Sequence, residues 1–406
     1  MLPLRILHVA PYSERAWAYG GIPRVLAALA RAQARAGHLV TVATTDVHDG
    51  ASRLAAPGKE PRPRRRPWRE RSDEGIDEVV FPNVSNRLAS RWQFYQPIGI
   101  ARFLRRHAVD FDVAHLHACH NLPTALAARA LRRAGVPYVM QPNGTAARIE
   151  QRRAAKWLFD FLFARHLLRD AASVVAVSEW ERRQLEAAGV GPARCRIVPN
   201  PLAPAPAPMP PGAFRRRLGL TADPMVLFLG VLSPRKHPAV LAEAVAALAP
   251  RPVQLVFAGA DRGAATAARR AAHRLGIAPR THFVGVLPGA DRFDALADAD
   301  VAVYASSDEA FGLSALEALQ AGTPVVVGGE GGCGEIIAAV GGGTLVGPGD
   351  PRPLAAALDE LIRDLPAWKA AARAAGVTAS RRFHPDAVWA ELEPVYQAAV
   401  HPLAAA

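Results

Sequence analysis

The stretch VAVYASSDEAFGLSALEALQAGTPVVV, residues 301–327, contains one complete unit of architecture. VAVYAS is a short apolar run, SALEALQAG has helical periodicity, and TPVVV is a second apolar run. A strand, a helix and a strand in that order make a parallel pair joined by a crossover. Glu309 then falls in the loop at the first strand's carboxyl end. Gly312 frees the backbone, and the helix begins near Leu313–Ser314. The first N–H groups of that helix lack partners and carry the positive end of its dipole, which suits a diphosphate. Glu317 stands about one turn inside. The loop between Glu309 and Glu317 prevents them from being an ordinary i, i+4 surface pair. Carboxylates accept paired hydrogen bonds from vicinal diols, so one suits a sugar and the other a ribose. The competing reading is a helix-start Glu plus a helix-surface Glu.

The same alternation runs outward in both directions. LRILHVAP (4–11) reads as a first strand, GGIPRVLAALARAQARAGH (20–38) as a helix and LVTVATTD (39–46) as a strand. VDFDVAHLH, VPYVMQPNG, SVVAVS and RCRIVPN continue as strands, separated by helices near 123–134, 146–169 and 181–189. After residue 222, MVLFLG, VQLVFAG, THFVG, VAVYAS and TPVVVGG alternate with helices. Short apolar strands alternating with amphipathic helices imply parallel sheets covered on both faces. KEPRPRRRPWRER (59–71) reads as an exposed loop. PNPLAPAPAPMPPG (199–212), with seven prolines, reads as a stiff connector. The expected organisation is a domain over 1–200, a linker over 201–222 and a second domain over 223–380. A last helix in 381–406 is expected to cross back to the first domain. Two doubly wound domains facing each other would place the carboxyl ends of both sheets around one cleft, where ligands bind.

The bulk numbers agree. The 406 residues suit two cores rather than one, and 50% hydrophobic residues describe a globular chain. No apolar run reaches the roughly 18 residues of a spanning helix, and the N-terminus reads as a buried strand, not a signal peptide. Cys119, Cys195 and Cys333 are far apart, which argues against a disulfide framework or a structural zinc site and for a reducing cytoplasm. A net charge of +13 favours anionic partners: phosphorylated small molecules or an acidic membrane surface. Compositional bias toward Arg produces the same excess with no partner at all. No aromatic platform or recognition helix accompanies the Arg run, so nucleic acid is not expected as a partner.

Two motifs compete for attention. GEGGCG (329–334) fits G-x-G-x-x-G but follows a late strand, whereas a dinucleotide fingerprint follows the first. It reads better as a loop that lets the backbone approach a ligand. Asp298-Ala299-Asp300 mimics a D-x-D metal motif but lies where a helix feeds a strand, so a helix end is expected there.

The chain resembles the GT-B-fold glycosyltransferases of family 4, retaining enzymes that use nucleotide sugars. DEAFGLSALEALQAGTPVVVGGEGGCGEII resembles the family's E-x7-E signature and the segment after it. YGGIPRVLAALARAQARAGHLVTV resembles its first glycine-rich loop and helix, and DVAHLHACHNL the strand ending in an active-site histidine. LFLGVLSPRKHPAVLAEAV resembles the phosphate loop, and TLVGPGDPRPLAAAL the closing helix. The resemblance implies that the backbone at Gly20 and Gly21 approaches the donor phosphates and that Lys236 supplies charge to the leaving diphosphate. Glu309 would bind the donor sugar, Glu317 the ribose, and the stretch Phe311, Gly312 and Leu313 phosphate or sugar. His117 would face the reacting centre, with His120 as its rival and Asn143 as a further candidate on the acceptor side. Strand alternation puts His115 and His117 on one face. A buried core histidine is the other reading of His117.

Four positions depart from the family pattern. Val231 stands where Arg is usual after Gly230, His237 where Gly is usual, Asn143 where His is common, and Pro201 where Gly follows Asn200. The first removes a cation from the diphosphate. Unreplaced, it would cost a few kcal/mol, or roughly two decades in rate. Arg235 is the candidate to compensate. The expected activity is transfer of a sugar from a nucleotide diphosphate sugar to an acceptor hydroxyl with retention, without a metal or other cofactor. Polysaccharide or lipid-linked glycan synthesis at the inner face of a bacterial cell membrane is the expected setting. A weak or inactive nucleotide-sugar-binding homologue, and another GT-B enzyme such as a nucleotide-sugar epimerase, remain open.

Overall fold

The structure, a computed structural model, describes residues 2–16, 19–49, 52–55, 66–146, 165–206 and 210–401. The chain divides into two compact units, Met1–Pro201 with Pro385–Ala406, and Leu202–His384.

The first unit is built on eight strands: β1 Arg5–Val9, β2 Leu39–Thr45, β3 Trp68–Arg71, β4 Asp77–Phe81, β5 Val113–His117, β6 Tyr138–Gln141, β7 Ser173–Ala176 and β8 Cys195–Ile197. Their order across the sheet is β3-β4-β2-β1-β5-β6-β7-β8. All pairings are parallel except β3 with β4. Alternation along the strands divides the core. Leu7 and Val9 of β1 with Ala114 and Leu116 of β5 pack under the helices Ile100–His107 and Leu122–Ala134. Ile6 and Val113 face the other way, toward Leu29 and Ala32 of the helix Ile22–Arg35. The helix Pro385–Val400 covers that same face through Val388, Trp389, Leu392 and Tyr396, a stripe at helical spacing.

The second unit has six parallel strands: β9 Met225–Leu229, β10 Gln254–Ala258, β11 Thr281–Gly285, β12 Val301–Tyr304, β13 Val325–Gly328 and β14 Gly343–Val346. Their order, β11-β10-β9-β12-β13-β14, winds outward from β9 and then restarts beside it at β12. The direction of winding reverses between β9 and β12, and in open sheets of this kind ligands bind outside the strands' carboxyl ends at such a point.

Two expectations need correction. The Arg-rich segment is not all loop: Trp68–Arg71 pairs antiparallel with β4, making the sheet mixed. Arg15 fastens this edge by ion pairs to Glu70 (3.2 Å) and Glu78 (3.5 Å). The dense arginines hide a strand whose side chains alternate in exposure. Residues 59–65 lie outside the described residues, as do 147–164 of the expected long helix; Arg165–Arg169 at its end is helical. The segment 201–222 is not simply a linker, because the second unit begins at Leu202 and the segment includes the helix Ala213–Leu218. The Asp298 carboxylate accepts from the N–H groups of Gly212 (2.7 Å), Phe214 (2.8 Å) and Arg215 (3.2 Å), and Phe214 is buried. A capping carboxylate 80 residues downstream in sequence leaves no local signal. Asp300, held by Arg215 and Lys369, is likewise part of the scaffold.

Candidate functional site

Three loops meet at the crevice of the second unit: 230–237 after β9, 305–312 after β12 and 329–334 after β13. Their backbones knit together. Ser307 N–H donates to Arg235 O (3.0 Å), and Cys333 N–H to Glu309 O (3.1 Å). Arg235 Nη1 donates to Asp308 O (3.3 Å), and His237 Nε2 bonds Ser307 Oγ (2.9 Å). The glycines make this closeness possible. A Cβ at Gly328 would lie 2.2 Å from Ser306 O, at Gly331 2.8 Å from Glu309 O, and at Gly312 2.2 Å from Cys333 Sγ. The expectation that the GEGGCG glycines let a ligand approach is therefore revised for Gly331: its closest neighbour is the loop carrying Glu309. His237 sits at φ +48, a left-handed conformation that explains why Gly is usual there.

Two of the expected site residues come into contact here. Lys236 Nζ lies 3.2 Å from Glu309 Oε2, and both side chains are partly exposed. Burial works to raise the Glu309 carboxyl, but Lys236 and then Arg235 outweigh it and hold the group below its ordinary value. Glu309 is thus ionised, with two cations at hand. The helix Leu313–Gln320 starts directly after Gly312, whose φ is +86, with no side-chain cap. Its dipole end is open to an anion.

Other expected residues have different surroundings. Glu317 is 4% exposed, its Oε1 3.1 Å from Arg292 Nη2, so the helix turns this carboxylate inward onto a guanidinium. Phe311 is buried and packs edge-on against Phe383, with centroids 5.4 Å apart. It anchors the loop rather than lining it. Leu313 is half-buried.

In the first unit, Gly20 (φ +90) and Gly21 precede the helix Ile22–Arg35, and a Cβ at Gly20 would meet no described atom within 4 Å. His117 is fully buried. The register that sets His8 beside His115 brings three imidazoles together. His115 and His117 stack at 4.2 Å, and His8 stacks on both. Gln33 Nε2 donates to the Tyr396 hydroxyl (3.2 Å), which is hydrogen-bonded to His115 Nδ1 (2.6 Å). Gln33 Oε1 accepts from His8 Nε2 (2.6 Å), leaving His8 Nδ1 to accept from His117 Nε2 (2.9 Å). Burial pushes His8 down to about 4. Burial first, then the neighbouring rings, holds His115 and His117 well below the ordinary range. All three are neutral at pH 7. Among the described residues they are the one group of three metal-capable side chains close enough to share an ion. The burial and contacts of His117 match its reading as a buried core histidine.

His120 is half-buried, its Nδ1 2.6 Å from Thr145 O. Asn143 takes φ +55, and Gly144 N–H donates to Glu181 Oε1 (2.5 Å). Glu181, buried and pushed up to about 7 by burial, also accepts from Val177 N–H (2.9 Å). Sequence reasoning missed Glu181, Arg292 and the partners of His117. Three residues past the N-cap Ser178, Glu181 stands where a capping box would place it, and this was the available signal.

The family profile described as Glycosyl transferases group 1 matches residues 213–375, and that of the Glycosyl transferase 4-like domain matches residues 20–201. D-inositol 3-phosphate glycosyltransferase of Thermobispora bispora is 38% identical over 204 residues, 48% of this chain and 47% of the relative. Its namesake from Xylanimonas cellulosilytica is 40% identical over 193 residues, 45% of each chain. The chain spans about half the length of the curated relatives it matches. Anabaena Alr3699/HepE, solved with UDP and glucose, shares the fold with TM-score 0.74 at 20% identity over 97% of this chain and 99% of that one. Sucrose-phosphate synthase from Thermosynechococcus elongatus does so with TM-score 0.73 at 20% identity over 97% and 98%. With both halves matched and the architecture reproduced from end to end, the chain belongs to the group 1, family 4 glycosyltransferases and has their two-domain Rossmann-like GT-B fold.

Proposed function

We propose that this protein transfers a sugar from a nucleotide diphosphate sugar to an acceptor hydroxyl, with retention. The observation that carries the reading is the Lys236–Glu309 contact at 3.2 Å, beside an uncapped helix start in the strand-reversal crevice. Donor binding would part the pair. Lys236 and Arg235 turn to the diphosphate, and the Glu309 carboxylate accepts from the sugar's hydroxyls. Glu317, oriented by Arg292, serves the ribose. Amides at Gly20, Gly21, Gly312 and Leu313 approach phosphate or sugar, and His120 and Asn143 are assigned to the acceptor side. As the bond from the anomeric carbon to the leaving oxygen breaks, that oxygen takes the acceptor's proton, and the acceptor oxygen bonds to the same face. The protein contributes position and charge, and no cofactor is assigned.

The UDP bound in HepE makes uridine the first donor base to test. The relatives' name makes an inositol phosphate one candidate acceptor, beside a polysaccharide or lipid-linked glycan at the cytoplasmic membrane face. No helix among the described residues is long and apolar enough to cross a membrane, and the contact proposed with the bilayer is a peripheral one. A second reading, donor binding without turnover, is favoured by Val231, which removes an expected cation. A thermal-shift panel of nucleotide sugars, followed by product analysis, tests both, since a true donor stabilises the fold by mass action. No stabilisation by any donor would overturn the donor assignment. Stabilisation with no product across acceptors would select the second reading.

A further inference from the structure

The segment 82–98 forms a closed knuckle on the first unit. Its neck is tied by Val84 N–H to Gln96 O (3.0 Å) and by Ile98 N–H to Pro82 O (2.8 Å). Asn83 is held from below by Asp46 Oδ1 (2.7 Å), and its carbonyl accepts from Arg53 (2.7 Å). Within the knuckle, Ser85 caps the helix Asn86–Trp92, and Gln93 closes it in the left-handed conformation. The inward side is packed: Ala89 and Tyr95 are buried, with Tyr95 5.7 Å from the ring of Tyr12.

The outward side is apolar. Val84, Leu88, Trp92, Phe94 and Ile98 are each between 39% and 59% exposed. They are five of the thirteen large exposed hydrophobic residues among those described, which concentrates them far beyond single scattered side chains. Leu88 and Trp92 are one helical turn apart on one face. The tied backbone keeps these side chains from folding inward. Charge in the same stretch has one sign: residues 79–109 contain Arg87, Arg91, Arg102, Arg105 and Arg106 and no Asp or Glu. Arg87, Arg102, Arg105 and Arg106 are exposed, the last three on the helix Ile100–His107 that follows the knuckle.

We propose that this knuckle docks the protein on an anionic lipid bilayer. Leu88, Trp92 and Phe94 enter the headgroup–acyl boundary, and the surrounding arginines contact lipid phosphates. Exposed aromatic and aliphatic side chains with exposed arginines in the same stretch match the apolar-beneath-anionic layering of such a surface. A protein groove would not demand the one-signed charge. The inference rests on the membrane setting of the proposed function and gives it a location.

The test is co-sedimentation of the full chain with vesicles, without donor or acceptor, so its failure leaves the sugar-transfer reading standing. Vesicles of phosphatidylcholine alone and with about 30% phosphatidylglycerol are compared at an ionic strength of about 0.1 M. The expected result is binding to the anionic vesicles only. Trp92→Ser with Phe94→Ser should weaken it about tenfold or more, as should Arg87→Glu with Arg102→Glu. These side chains are exposed, and circular dichroism checks that the variants fold. Absent binding, or binding that either pair of changes leaves intact, overturns the proposal. Self-association of the free protein that Trp92→Ser abolishes would also overturn it, by assigning the face to a second copy.

Discussion

Lys236 Nζ and Glu309 Oε2 lie 3.2 Å apart although their loops leave different strands, β9 and β12. The contact exists because the strand order reverses between those two strands. It brings the ammonium proposed for the leaving group and the carboxylate proposed for the sugar into one place.

Glu309→Ala should reduce donor turnover by about two decades, or about 2.7 kcal/mol of transition-state stabilisation. The side chain is partly exposed, so the melting temperature should change little. Steady-state kinetics with calorimetry checks this, and near-normal turnover would sink the site assignment.

Val231→Arg should raise kcat/KM about tenfold if the diphosphate lacks a cation there. Arg235→Ala should lower it, and Val231→Arg should rescue that variant. If Arg235→Ala is silent, Arg235 is not the compensating charge.

Gly312→Ala should destabilise the fold by about 2 kcal/mol or more, because φ is +86 and the new Cβ would meet Cys333 Sγ at 2.2 Å. Cys333→Gly removes the thiol and should restore part of that loss but not the backbone strain. Urea denaturation of the double-mutant cycle measures the coupling, and strict additivity would contradict the contact.

The buried histidines give stability a pH dependence of known sign. His8 is held at about 4 in the fold and near its ordinary value when unfolded, so the unfolded chain binds the extra proton as pH falls. Its contribution is present above about pH 6.5 and is lost as pH falls toward 4. Glu181, raised to about 7, acts in the opposite direction, contributing below its unfolded value and losing that contribution as pH rises toward 7. His8→Asn should therefore flatten the dependence by about one proton, or about 1.4 kcal/mol per pH unit between pH 6 and 4.5. Denaturant titrations across that range check it, and an unchanged slope would remove His8 from the network.

Much of the second unit's architecture was legible locally. The VAVYAS–TPVVV stretch announced a strand, a glycine turn, a helix start at Leu313 and a strand, because period and turn chemistry act over a few residues. Hydrophobic alternation placed His115 and His117 on one face for the same reason. The β3 edge was hidden, since four residues among arginines carry too little apolar pattern to read as a strand.

Register and strand order belong to the tertiary structure. Nothing near His117 announces His8, 109 positions away, or the Gln33 and Tyr396 that bond His8 and His115; these groups come together only through pairing and helix docking. That packing buries His117 and keeps its imidazole neutral. Asp298 likewise caps a helix more than 80 residues earlier, and Gly331 packs against the backbone of Glu309. By itself the sequence determined which segments are strands and helices and where carboxylates stand on them, because those are short-range preferences. Which of these groups face each other was decided by non-local backbone pairing and burial, which no local pattern encodes.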